Sequence, residues 1–146
     1  MAWIETATSL YSTETVWNAG LAGTSLSSHG KSLTVGREGE WSPEHLLLVA
    51  AESCVMSTLL ALARDAGIDV LGYVSKGQLH GRSDNDESPA IVLMPCVVVG
   101  SDEDAARVRR LVSTVTRHSI VAKALGERLS IALDVRVVPA GESRRP

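Results

Sequence analysis

The run LLLVAAESCVMSTLLALA (Leu46–Ala63) is apolar or small on nearly every side of the helix it would form. A helix of that kind has to be covered all the way round. Ser42-Pro43-Glu44, just upstream, is a strong helix start. The serine accepts a hydrogen bond from a free N–H, the proline lacks an N–H that would go unpaired, and the glutamate complements the positive end of the dipole. The pattern predicts a helix over 43–66 that stops at Gly67. The run approaches the length that crosses a bilayer, but Glu52 near its middle would cost about 2.5–3.5 kcal/mol there. A buried helix with no membrane partner is therefore expected. A chain of 146 residues, 45% of them hydrophobic, is enough for one domain, placed here at 1–138 with a flexible tail at 139–146. One sheet covers only one side of the helix, so the other side needs more helix, from this chain or from a second subunit.

The remaining segments supply such a sheet. Before the long helix, stretches near Ile4–Trp17, Leu21–Leu26 and Ser32–Val35 read as strands of a meander, joined by Asn18-Ala19-Gly20 and Ser28-His29-Gly30-Lys31. After it, Val70–Arg82 alternates, with Leu71, Tyr73 and Leu79 against Lys76, Gln78, His80 and Arg82, as a half-buried strand does. Residues 83–88, SDNDES, read as a polar turn. Ile91–Val99 is apolar on both faces and predicts a strand buried on both sides, with Pro95 marking a bulge or a locally unpaired edge. Ser101 caps a second helix whose stripe is Ala105, Val108, Leu111, Val112 and Val115. A short helix over Ser119–Leu125, closed by Gly126, and a strand over Ile131–Val137 complete an α+β order, with helices on one face of an antiparallel sheet.

Charge and cysteine usage narrow the function. Fourteen Lys and Arg against 17 Asp and Glu leave a net charge of −3, which argues against nucleic acid as a partner. Two cysteines make neither a disulfide framework nor a zinc site, and they suit a reducing cytosol. The N-terminal MAWIETATSLYS has no basic or apolar stretch of a signal peptide, so a cytoplasmic protein is expected. His29, His45, His80 and His118 show no metal-ligand spacing, and no metal or cofactor is expected. With no Phe, three Trp and two Tyr, the core has to come from Leu, Val, Ala and Ile.

Cys54, inside the central helix among Glu52, Ser53, Ser57 and Thr58, is either a small core hydrophobe or a reactive thiol. The segment W-S-P-E-H-L-L-L-V-A-A-E-S-C (41–54) resembles the signature of the OsmC/Ohr family, the osmotically inducible and organic-hydroperoxide-resistance proteins. There an Asn/Ser-Pro-Glu opens a long central helix and a reactive cysteine follows the Glu by ten positions, as Cys54 follows Glu44. The Gly36-Arg37-Glu38-Gly39 approach and the order of later elements also match, so the resemblance spans about Thr13 to Val138.

The resemblance implies an intertwined homodimer whose long central helices pack against antiparallel sheets. It also implies reduction of small organic hydroperoxides by a Cys54 thiolate that becomes a sulfenic acid, with Glu44 holding an arginine beside it. Glu44 lies about 15 Å from Cys54 along one helix, so a shared site is expected to draw on two subunits.

Two departures qualify the pattern. The family's arginine position holds Thr34, and Arg37 is the nearest arginine. Ser119 holds the place of the family's resolving cysteine, which implies a one-cysteine peroxidase reduced by an external thiol. Cys96 is expected in the core. His118, beside the vacated position, would raise the thiolate fraction if it faced Cys54, or would support thiol-based acyl transfer. Each also has a plain structural reading: Glu44 as a helix-start carboxylate, Arg37 as a loop charge, His118 as a surface histidine. Glu52 would oppose the thiolate if close. The rival function is a non-catalytic dimer that binds a small apolar ligand in the subunit crevice.

Overall fold

A computed structural model describes residues 11–81 and 89–139. The predicted strand before Thr13, the 83–88 turn and most of the tail lie outside the described residues. The chain divides into two compact units, Met1–Leu46 and Leu47–Pro146.

In the first unit, β1 (Thr13–Ala19), β2 (Ala22–Ser27) and β3 (Ser32–Gly36) form the expected antiparallel meander, with Val16 opposite Thr24 and Ser25 opposite Leu33. The β1–β2 turn is closed by Glu38, whose carboxylate accepts the Leu21 N–H at 2.9 Å, and by Trp17 Nε1, which donates to the Gly20 carbonyl at 3.0 Å.

The long helix α1 runs from Pro43 to Asp65. Its cap is built as the sequence predicts: Ser42 Oγ accepts the His45 N–H at 3.2 Å and also bonds the His45 ring at 2.6 Å. The stop at Gly67 is a Schellman motif. Gly67 N–H donates to the Arg64 carbonyl (3.0 Å) and Ile68 N–H to the Ala63 carbonyl (2.9 Å), with Gly67 at φ 69°, a conformation glycine adopts without a Cβ clash. By length and hydropathy α1 could cross a membrane; in this fold its Ala51, Val55, Leu59 and Ala63 are buried in the core of the second unit.

That core lies on one face of a four-stranded sheet. β4 (Val70–His80) pairs antiparallel with β5 (Ala90–Val99). The odd residues of β5, Ile91, Leu93, Val97 and Val99, meet α1 and the stripe Ala105, Val108 and Val115 of α2 (Asp102–His118). Ser101 caps α2 by accepting the Asp104 N–H at 3.1 Å. A short α3 (Ile120–Leu125) and a 3-10 turn, Gly126–Arg128, lead to the last strands.

Three expectations are corrected here. The final strand is two, β6 (Leu129–Ile131) and β7 (Asp134–Val137), and both pair with β5 in parallel, so this sheet is mixed. Their pairing stops at Leu93 and resumes at Cys96. Pro95, which has no N–H to donate, lies in that gap. And β5 is buried on one face only: Val92, Met94, Cys96 and Val98 on the other are half-buried.

Candidate active site

Cys54 sits midway along α1 and is half-buried. Its sulfur accepts a hydrogen bond from Ser119 Oγ at 2.9 Å, across 65 positions of sequence. Ser119 is fully buried and stands at the joint between α2 and α3 in extended conformation (φ −77°, ψ 116°). Its N–H closes α2 on the Val115 carbonyl, and its Oγ starts α3 by accepting the Ala122 N–H at 3.3 Å. The sulfur thus meets a hydroxyl that two helix ends hold in place. Thr58 Oγ1 bonds the Cys54 carbonyl at 2.8 Å and leaves the sulfur alone.

The other predicted residues fall elsewhere. His118 is exposed, and its ring Nδ1 donates to the Thr114 carbonyl one turn back at 2.9 Å; the next residue, Ser119, makes the contact expected of it. Acyl transfer through a Cys54–His118 pair loses its geometric basis. Glu44 is exposed in the first turn of α1, and Arg37 is exposed in the turn after β3. Both belong to the first unit, Cys54 to the second.

Cys96 is not core packing. Strand parity puts it on the outer face of β5, where its Sγ lies 3.7 Å from Asp134 Oδ2, itself 3.0 Å from Arg136 Nε. The core helix lies on the opposite, odd-residue face. A bridge needs Cα atoms within about 4.4–6.8 Å, so Cys96 cannot resolve a sulfenate on Cys54 of the same chain.

Glu52 lies on another side of the helix from Cys54. Two residues before Cys54 on a helix is about 200° around the axis. Cys54 faces Ser119, while the Glu52 side chain lies over Gly77 of β4, where an added Cβ would sit 3.1 Å from its Cδ. Glu52 Oε1, Tyr73 OH and Ser75 Oγ are buried with no hydrogen-bond partner among the described residues. They line a cleft of about 270 Å³ walled by Val49, Met56 and Val74.

Burial first, and the Glu52 carboxylate second, raise the Tyr73 phenol above its ordinary pKa of 10.0. The sign follows: the unfolded chain loses this proton first, so the contribution is intact below pH 10 and is lost as pH rises through the folded value. Removing the charge with Glu52→Gln, in a Tyr11→Phe background, is expected to lower the Tyr73 midpoint in an ultraviolet titration. An unchanged midpoint would contradict the pairing.

A family model described as OsmC-like protein matches residues 36–134. Among solved structures, the fold is similar to an OsmC-like protein from Mycoplasma pneumoniae (TM-score 0.70, 16% identity, 90% of this chain and 99% of that one). It is similar to an organic hydroperoxide resistance protein OsmC from Legionella pneumophila (0.64, 17%, 89% and 100%). It is also similar to the organic hydroperoxide resistance protein OhrB of Bacillus subtilis (0.62, 18%, 89% and 100%). No curated protein matches the sequence significantly. With the Ser-Pro-Glu start, the long central helix and the cysteine ten positions on, the matched span identifies this chain as a member of the OsmC-like protein family.

Proposed function

We propose that this protein is a cytoplasmic, thiol-dependent peroxidase that reduces organic hydroperoxides through Cys54. The observation that carries this reading is the Cys54 sulfur, half-buried and hydrogen-bonded to a buried hydroxyl, in a family whose members include organic hydroperoxide resistance proteins. The Cys54 thiolate attacks one peroxide oxygen, the O–O bond breaks, and the other oxygen leaves as an alkoxide that takes a proton to become the alcohol. Sulfur is oxidised by two electrons to a sulfenic acid. With Ser119 in the resolving position and Cys96 on the far face of the sheet, an external thiol condenses with the sulfenic acid, releasing water. A second external thiol then frees Cys54 as the mixed disulfide is exchanged.

The working form proposed is a homodimer. On α1, Leu47 and Val49 are 40% and 43% exposed, and Leu71 and Val74 on β4 are 46% and 63% exposed. Leu47 and Val49 belong to the part of the all-round apolar helix that this chain leaves uncovered, and a second copy would cover it. Glu44 would come to each Cys54 from the second copy and hold Arg37, whose guanidinium would place positive charge beside the thiolate. Sedimentation is expected to give twice the chain mass of 15.5 kDa. Leu47→Lys with Val49→Lys should shift the protein to monomer and remove at least about nine-tenths of the peroxidase rate, a loss of 1.4 kcal/mol or more in transition-state stabilisation. An active monomer would overturn the two-subunit site.

One observation favours the rival reading, a dimer that binds an apolar ligand without turnover. Among the described residues, the partner of the sulfur is a neutral hydroxyl, not a guanidinium or imidazole. Steady-state consumption of cumene hydroperoxide with a dithiol reductant separates the two: turnover supports the peroxidase, and none, with the thiol left unoxidised, supports the binder.

A further inference from the structure

We infer that Ser119 is a positioning residue that commits its hydroxyl proton to the Cys54 sulfur and so favours the thiolate; this rests on the reading of Cys54 as the reacting thiol.

Ser119 is the one polar residue among the described residues that is fully buried. A hydroxyl in that setting is costly unless it is hydrogen-bonded, and it has one proton to give. Its oxygen is already engaged as the acceptor of the Ala122 N–H at 3.3 Å. The proton is directed at the sulfur 2.9 Å away. A neutral thiol is a weak acceptor, whereas hydrogen bonds to an ionised group are roughly twice as strong as neutral ones. A donor aimed at the sulfur therefore stabilises the thiolate more than the thiol.

The geometry is set before any reaction. Ser119 ends α2 through its N–H on the Val115 carbonyl and begins α3 through its Oγ. Its side chain cannot turn from the sulfur without giving up the start of α3. Sequence comparison alone registers Ser119 as the loss of a disulfide-forming cysteine. The contact gives it a role of its own: it replaces a covalent partner with a proton donor, and it cannot trap the oxidised sulfur.

The test is the pH profile of Cys54 alkylation by iodoacetamide, in a Cys96→Ser background so that one thiol reports. Ser119→Ala is expected to slow alkylation about tenfold near neutral pH. The rates should converge at alkaline pH, where the thiol is fully ionised with or without the hydroxyl. Ser119→Thr, which keeps the hydroxyl, should restore the original profile. If Ser119→Ala fails to fold, Ser119→Gly removes the hydroxyl at a helix start where glycine is better tolerated than alanine. Profiles that superimpose in either folded variant would overturn the inference.

Oxidation by cumene hydroperoxide, followed on the same samples, keeps the two claims apart. A thiol whose alkylation depends on Ser119 but which does not oxidise sinks the peroxidase reading and leaves the hydrogen bond standing. A thiol that oxidises equally well with and without the hydroxyl, with unshifted profiles, removes Ser119's role alone.

Discussion

Cys54→Ser is expected to abolish hydroperoxide reduction, lowering the rate by about three orders of magnitude or more, because no second group can replace the nucleophile. A serine hydroxyl at this position keeps the volume and the neighbourhood of Ser119 but offers no thiolate and no sulfur to oxidise. The matched control is Cys96→Ser. Cys96 lies on the outer face of β5 beside Asp134, and α1 packs on the inner face, so its loss should leave the rate within about twofold of wild type, inside the usual range of non-catalytic surface substitutions. Hydroperoxide consumption measured on both variants checks the pair. Equal loss in both would mean that the two thiols act together, which strand parity forbids within one chain.

Ser119→Cys carries the second large effect. The oxygen it replaces is 2.9 Å from the Cys54 sulfur, and sulfurs of a disulfide stand about 2.05 Å apart, so a small side-chain rotation would bring the introduced thiol into bonding range. On treatment with a hydroperoxide, the sulfenic acid at Cys54 should condense with that thiol and release water. The intact mass then falls by two hydrogens, whereas the wild-type chain gains one oxygen. The bond closes a loop of 65 positions, and in the chain-entropy treatment it is worth about 4 kcal/mol of stability. Thermal unfolding of the oxidised variant should shift upward and return on reduction. A variant that takes up oxygen without forming the bridge would show that the two side chains do not meet.

Local chemistry made much of the fold readable. Ser42-Pro43-Glu44, Gly67, Ser101 and Gly126 each satisfy or end a helix through their own backbone or side chain, and each boundary lies within a residue or two of the expected place. The alternation of β4 holds from Tyr73 to His80, whereas Leu71, expected on the buried side, falls at an irregularity between Val70 and Gly72 and is exposed. What the sequence could not carry were relations between distant segments. Ile131–Val137 keeps one alternation throughout, yet it breaks into β6 and β7 because both pair with β5 on either side of the gap at Pro95. Ile91–Val99 reads as buried on both faces since every position is apolar, although only the odd ones meet the helices.

The candidate site divides in the same way. Cys54 was legible from its spacing to Glu44. Ser119 was legible only as a missing cysteine, because its partner lies 65 positions away and a buried capping serine looks like any other at a helix start. His118 was a candidate by adjacency, but it is the last residue of α2 and its ring bonds the Thr114 carbonyl of its own helix, whereas Ser119 leaves the helix in extended conformation.

The most direct measurement is the intact mass of the wild-type protein after one equivalent of cumene hydroperoxide, with and without a trap for sulfenic acids. A single oxygen on Cys54, captured by the trap and with no bridge to Cys96, is the predicted result. A mass that does not change, with Cys54 still free to be alkylated, would contradict it.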